Sequence, residues 1–72
     1  MFVIKQRTGF TPYYFYGWEN PGGGDRFIVR RDLARRFETE EQARSVIKLI
    51  ETRRLARYGI TNPPVPLQVE KL

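Results

Sequence analysis

Five aromatic residues stand within the six positions Tyr13-Tyr14-Phe15-Tyr16-Gly17-Trp18, and we take this stretch as the centre of the fold. Aromatic side chains bury large areas and favour pleated strands. Because successive side chains of a strand point to opposite faces, we expect Tyr13 and Phe15 on one face and Tyr14, Tyr16 and Trp18 on the other. A small sheet has one face to cover with a helix. The aromatic residues of the other face therefore need a second contact or a partner.

Length and charge limit what the protein can be. The chain has 72 residues, no cysteine, no histidine and a formal net charge of +5. We expect one domain over residues 1–72, near the lower size limit for independent folding and stabilised by packing alone. The basic residues are mostly arginine, whose planar guanidinium suits phosphate, carboxylate and aromatic partners. This composition suits a protein that binds a nucleic acid or an acidic protein surface. The plainer alternative is that the basic residues only keep the protein soluble.

Composition also argues against catalysis. Without histidine or cysteine, the usual nucleophile pairs and zinc sites cannot form. The one serine, Ser45, falls in the middle of a predicted helix, and the acidic pair Glu40 and Glu41 is explained by its position at the helix start. We therefore expect a binding protein rather than an enzyme, with no metal and no cofactor. The chain also lacks a secretory signal and an apolar run of membrane-spanning length, so we expect a soluble intracellular protein.

The first half of the chain alternates apolar and polar residues in the manner of strands. Residues 2–6 predict a strand that a short turn joins to the aromatic strand as an antiparallel hairpin. Residues 20–25 contain three consecutive glycines and predict a mobile hairpin loop, since the pattern of a phosphate-binding loop is missing. Residues 26–30 predict a third strand. A bend over residues 31–37 is expected next, with Leu33 and Phe37 buried.

A capping box marks the start of the helix. Thr39 can cap the first turn, and Gln42 follows three residues later. The helix is predicted over residues 40–58. Its first half carries an apolar stripe, but its second half carries Arg54 on the same face, with Arg53 and Arg57 beside it. That second half either overhangs the sheet or lays its arginine stems over the core.

The end of the chain completes the sheet. Prolines make residues 60–66 an extended strap, with a proline-motif ligand as the sharper alternative, and residues 67–72 predict a last strand beside the first. The class is therefore α+β, a small antiparallel sheet of three to four strands with one helix packed on one face. The predicted core is Phe2, Ile4, Phe15, Phe27, Val29, Phe37, Ala43, Val46, Ile47, Ile50, Leu67 and Val69.

The sheet face opposite the helix is the candidate binding surface. Aromatic and arginine side chains together are typical of interface hot spots and of sheets that stack single-stranded bases. The plainer alternative is that some of them pack beneath a loop. The first strand is also a candidate sheet edge for pairing with an extended peptide, unless the last strand covers it. By alternation, the predicted partner-binding residues are Val3, Lys5, Arg7, Tyr14, Tyr16, Arg26, Ile28 and Arg30.

Three stretches form a recognisable pattern: the opening Met1-Phe2-Val3-Ile4-Lys5, the Tyr-rich strand that ends in Gly17-Trp18, and residues 34–43 leading into an Arg-rich helix. With this pattern the chain resembles small phage-encoded transcription regulators, in particular those of lytic Xanthomonas phages. The resemblance implies a monomer in the host bacterial cytoplasm that binds the host RNA polymerase. The implied contacts are the N-terminal part of the β′ subunit and the β flap.

The resemblance also implies a regulatory activity. Such a regulator inhibits sigma-dependent initiation and acts as an antiterminator, with the elongation factor NusA as helper and nascent RNA close by. A small single-stranded nucleic-acid-binding module with an aromatic and arginine face is the alternative function. A protein that binds some other acidic partner is a third.

Overall fold

The computed structural model describes residues 1–8, 10–19, 24–58 and 66–72. Within these ranges the chain forms β1 (Phe2–Thr8), β2 (Thr11–Trp18), β3 (Asp25–Ile28), a 3-10 turn (Arg31–Leu33), α1 (Glu40–Tyr58) and β4 (Leu67–Lys71). Residues 20–23 of the predicted glycine loop and residues 60–65 of the predicted proline strap lie outside the described residues. No helix in the described part is long and apolar enough to cross a membrane.

The strands form one antiparallel sheet in the order β3-β2-β1-β4, and α1 packs on one face. This confirms the predicted α+β class. The last strand pairs with the first, as expected, with Ile4 opposite Val69. Strand β1 is therefore internal: of the two alternatives for it, the last strand covers it and β1 offers no open edge. The two edges of the described sheet are β3 and β4.

The start of α1 has the predicted capping box. The backbone N–H of Gln42 donates to the Thr39 hydroxyl at 3.1 Å. In return the Gln42 side-chain oxygen accepts from the backbone N–H of Glu38 at 3.0 Å and of Thr39 at 3.4 Å. Three N–H groups that the helix itself cannot satisfy are thus paired, which fixes where the helix begins.

The core lies between α1 and the sheet face that α1 covers. Its centre is the ring of Phe15, which contacts Phe27 and Phe37 at centroid distances of 5.7 Å and 6.5 Å. The fully buried members are Ile4, Phe15, Phe37, Ala43 and Ile50. Partly buried side chains pack around them: Phe2, Trp18, Phe27, Val46, Ile47, Leu67 and Val69.

Two residues that were predicted to be buried, Val29 and Leu33, are exposed. Val29 follows the end of β3 at Ile28, so the alternation that assigned it to the core no longer applies. Leu33 lies on the outer side of the 3-10 turn, and Ala34 beside it is buried instead. Only for Val29 did the prediction rest on a strand pattern continued past the end of β3.

Trp18 belongs to the core because β2 contains a bulge. Phe15 pairs with Phe27, but the next pair is Gly17 with Arg26, so Tyr16 is an extra residue. An extra residue shifts the alternation of the strand by one position. Trp18 therefore turns to the helix face, not to the face predicted for it. Its ring packs edge-on against Phe15 at 5.3 Å.

The second half of α1 is attached to the sheet by arginine. The Arg54 guanidinium lies 2.6 Å from the Asp25 carboxylate and donates to the Gln6 side-chain oxygen at 2.9 Å. It also lies 5.4 Å from the centre of the Phe27 ring. Arg53 sits over Trp18 at 4.6 Å. Of the two arrangements that the sequence left open, these arginines adopt the packed one.

The chain passes through the sheet between the 3-10 turn and α1. Counted from the turn that joins β1 and β2, the last pair of the two strands is Lys5 with Tyr14. Beyond it, the N–H of Arg35 donates to the carbonyl of Phe15 at 2.9 Å, while Phe2 and Phe37 exchange two bonds of 2.8 Å. The segment thus fills the space where the strands separate. It carries the chain from the face without a helix to the helix face.

Candidate binding surface

The face of the sheet opposite α1, called the far face here, carries the side chains predicted to bind a partner. The pairing registers put these residues on it: Val3, Lys5, Arg7, Pro12, Tyr14, Tyr16, Arg26, Ile28, Gln68 and Glu70. Arg30 lies beyond the end of β3, beside the 3-10 turn. The alternation therefore grouped the strand residues correctly, and the bulge removes only Trp18 from the set.

The middle of the far face is covered. Val3 and Tyr14 form a small buried cluster with Ala34, and Tyr14 is only 6% exposed. The 3-10 turn and Ala34 supply this cover from the residues that follow β3. Val3 and Tyr14 were predicted to contact a partner, which requires exposure. The structure corrects this prediction, because contacts within the chain already bury both side chains.

Charged pairs at the surface hold the cover in place. Arg31 lies 3.6 Å from the Glu70 carboxylate and donates to the Lys71 carbonyl at 3.3 Å. Arg30 forms a two-pronged pair with Asp32, with the shorter contact at 2.8 Å. The Arg30 hydrogen bond lowers the pKa of the Asp32 carboxyl below its ordinary value. Arg30, a predicted partner-binding residue, is thus exposed but already paired.

A cationic patch remains open at the hairpin end of the far face. Lys5 is half-buried and Arg7 is exposed. Neither has a carboxylate within ion-pair distance among the described residues. Phe10, at the turn between β1 and β2, is fully exposed. We call Lys5, Arg7 and Phe10 the hairpin patch.

Phe10 is the residue of this patch that alternation did not identify. It belongs to the turn, where strand periodicity says nothing about direction. The usable signal was its type, since turns favour Gly, Pro, Asn, Asp and Ser and an aromatic residue gains nothing there from the fold.

A second, smaller open site lies at the other end of β2. Tyr16 is the bulge residue and is 47% exposed. The Arg26 guanidinium lies 5.7 Å from the centre of its ring. Tyr14 and Val3, which stand between this pair and the hairpin patch in the sheet, are buried. The predicted continuous surface is therefore divided into two parts, with half-buried Ile28 next to the cover.

Among the described residues, no group of three or more acidic side chains is placed to hold a metal ion. Comparison with known protein families, curated sequences and solved structures finds no match to this chain. The two open sites and the charge around them are therefore the features of the chain itself that bear on its function.

Proposed function

We propose that this protein is a small regulator that acts by binding, and that its hairpin patch docks on an acidic surface of a larger protein. The observation that carries the proposal is the patch itself. Lys5 and Arg7 lie on one face of β1 without a carboxylate partner among the described residues, and the turn between β1 and β2 carries the exposed ring of Phe10. Arginine and aromatic side chains dominate the energy of many interfaces. An apolar pocket rimmed by carboxylates is their chemical complement.

The partner that we propose is bacterial RNA polymerase, and the support for it is the resemblance to phage transcription regulators. In this proposal the domain binds the N-terminal part of the β′ subunit and the β flap. It inhibits sigma-dependent initiation and acts as an antiterminator with NusA. A domain of this size acts by occupying a site and shifting an equilibrium between states of the larger enzyme.

Purified bacterial core RNA polymerase is the direct test. The wild-type domain is immobilised, and polymerase binding is compared with that of a Lys5→Gln/Arg7→Gln double variant. Loss of two interfacial cations is expected to weaken binding about tenfold or more, mostly through the association rate at low salt.

An Arg35→Gln/Arg36→Gln double variant is the matched control. Both arginines are exposed, and the variant has the same net charge as the first, so non-specific attraction falls equally. If both double variants bind polymerase more weakly than the wild type by the same factor, the hairpin patch is not the docking site. If the wild type retains no polymerase, the proposed partner is wrong.

Single-stranded RNA is the second candidate ligand, and the pair of Tyr16 and Arg26 favours it. An exposed ring beside a guanidinium can stack a base while the cation meets a phosphate. Titration with oligouridylate at several salt concentrations tests this function. Binding that falls about tenfold in Tyr16→Ala and weakens steeply with salt is expected. Binding that does not respond to salt would rule the candidate out.

A further inference from the structure

Strand β4 is an edge of the sheet, and part of its backbone faces away from every described strand. The N–H of Leu72 donates to the carbonyl of Met1 at 2.9 Å, which fixes the phase of the ladder with β1. In an antiparallel ladder, residues alternate between turning their N–H and C=O toward the neighbour and away from it. The residues of β4 that turn outward are therefore Leu67, Val69 and Lys71.

One end of this edge is closed by a side chain. Arg31 donates to the outward carbonyl of Lys71 at 3.3 Å. Such capping is one way in which proteins protect sheet edges. The outward N–H groups of Leu67 and Val69 donate no hydrogen bond to the described residues, and their C=O groups accept none from them. Within the described part of the chain these two edge residues are thus open for pairing, next to a closed end that limits how far a paired segment extends.

A groove runs beside the open edge, beneath one flank of α1. Its volume is about 570 Å³. The helix contributes Arg44, Ile47, Lys48 and Glu51, at the spacing of a single face, and the strand contributes Leu67, Gln68 and Val69. The apolar floor is half-buried and consists of Ile47, Leu67 and Val69. The groove therefore offers apolar contact at the place where an added strand would direct alternate side chains.

The charge of the groove wall indicates which segment fits. Lys48 is exposed and has no carboxylate within ion-pair distance among the described residues. Arg44 lies farther along the same wall and is paired with Glu40 at 2.9 Å. Glu51 is the one acidic side chain of the lining. A segment with an apolar residue over the floor and a carboxylate near Lys48 is the complement of this wall.

We propose that β4 and this groove bind an extended segment of a partner protein as an added strand, and that the segment alternates apolar and acidic residues on its groove side. Main-chain bonds to Leu67 and Val69 provide affinity, and the groove provides specificity. The site is separate from the hairpin patch and does not rest on the polymerase proposal.

The test uses a synthetic peptide of sequence Thr-Glu-Thr-Val-Thr-Val-Thr-Glu-Thr, blocked at both ends, whose Val and Glu residues share one face. Titration into the ¹⁵N-labelled protein is expected to shift the amide signals of Leu67 and Val69 and to slow their hydrogen exchange. Two N-methylated peptides are then compared, one methylated on both Val and one methylated on the Thr that directly precedes each Val. Because only one set of N–H groups faces β4, one peptide should bind at least about tenfold more weakly than the other.

Charge reversal at Lys48 checks the groove. Lys48→Glu should weaken binding of the Glu peptide and strengthen binding of the same peptide with Lys in place of Glu. Arg36→Glu, an exposed residue outside the groove with the same charge change, should leave that preference unchanged. Equal binding of the two methylated peptides, no saturable shift, or shifts confined to the far face would overturn the proposal. Concentration-dependent shifts at β4 without peptide would assign the edge to a second copy of the chain and also overturn it.

Discussion

The two faces of the sheet are both covered, but by different amounts of the chain and by different chemistry. On the helix face, α1 buries an apolar cluster around Phe15 and adds the inner ion pair of Arg54 with Asp25. On the far face, a 3-10 turn and Ala34 bury only Val3 and Tyr14. A helix closes its face for most of its length, whereas a turn leaves the ends of the other face open. The candidate binding residues are those that the turn does not reach.

Truncating Phe15, the central side chain of the helix face, should have the largest effect on the stability of the fold. Phe15→Ala deletes a fully buried ring that contacts Trp18, Phe27 and Phe37. We expect a loss of about 3–5 kcal/mol in the free energy of unfolding, a large share of what a small domain has. Urea unfolding followed by circular dichroism measures it.

Phe10→Ala is the control for that experiment, since it is the same substitution at a fully exposed ring. Its stability should stay within about 0.5 kcal/mol of the wild type. If Phe15→Ala unfolds at the same urea concentration as Phe10→Ala, the core is not centred on Phe15.

Because the far face is covered only by a short segment, we expect Tyr14→Ala to lower the free energy of unfolding by less than Phe15→Ala does, but by a measurable amount. Tyr14 is buried by Ala34 and its sheet neighbours rather than by a helix, so we expect about 2 kcal/mol. Tyr16→Ala, at the next residue of the strand, should cost about 0.5 kcal/mol or less because that ring is largely open. Thermal unfolding of both variants compares them. Equal losses would mean that the 3-10 turn does not cover Tyr14 in solution.

Alternation was enough to predict the fold and most of the core. The sheet, the helix, its capping box and the inward direction of Phe15 and Phe27 depend on local spacing and local hydrogen bonds. Such signals come from residues that are close together in the sequence. The prediction failed for Val29 because a period of two carries no information about where a strand ends.

The candidate site was harder to predict because it depends on the path of the chain. Whether Val3 and Tyr14 are exposed is decided by Ala34, which is distant in sequence and belongs to a segment without periodicity. The position of Trp18 depends on the bulge at Tyr16. One signal for it was available, since a glycine inside a strand, here Gly17, often marks a bulge.

The ion pair that attaches the second half of α1 should contribute more than an ordinary surface pair. The side chains of Arg54 and Asp25 are 23% and 14% exposed, and Gln6 shares the bond network. A double-mutant cycle with Arg54→Gln and Asp25→Asn should give a coupling of about 1–2 kcal/mol. The matched cycle on the exposed pair of Arg44 and Glu40 should give about 0.3–0.5 kcal/mol. Equal coupling energies for the two pairs would show that partial burial does not strengthen the pair of Arg54 and Asp25.

The smallest expected effect concerns the charged pair beside the cover. The Arg30 hydrogen bond lowers the pKa of Asp32, so Arg30→Gln should raise that pKa toward its ordinary value, as measured by NMR titration of the Asp32 carboxyl carbon. A carboxyl whose pKa is lower in the folded state stabilises the fold above the unfolded value, about 3.9. That contribution is lost as the pH falls through the folded pKa. Any stability difference between wild type and Arg30→Gln should therefore shrink as the solution becomes more acidic. An unchanged Asp32 titration in the variant would mean that the pair does not persist in solution, unlike the inner pair of the helix face.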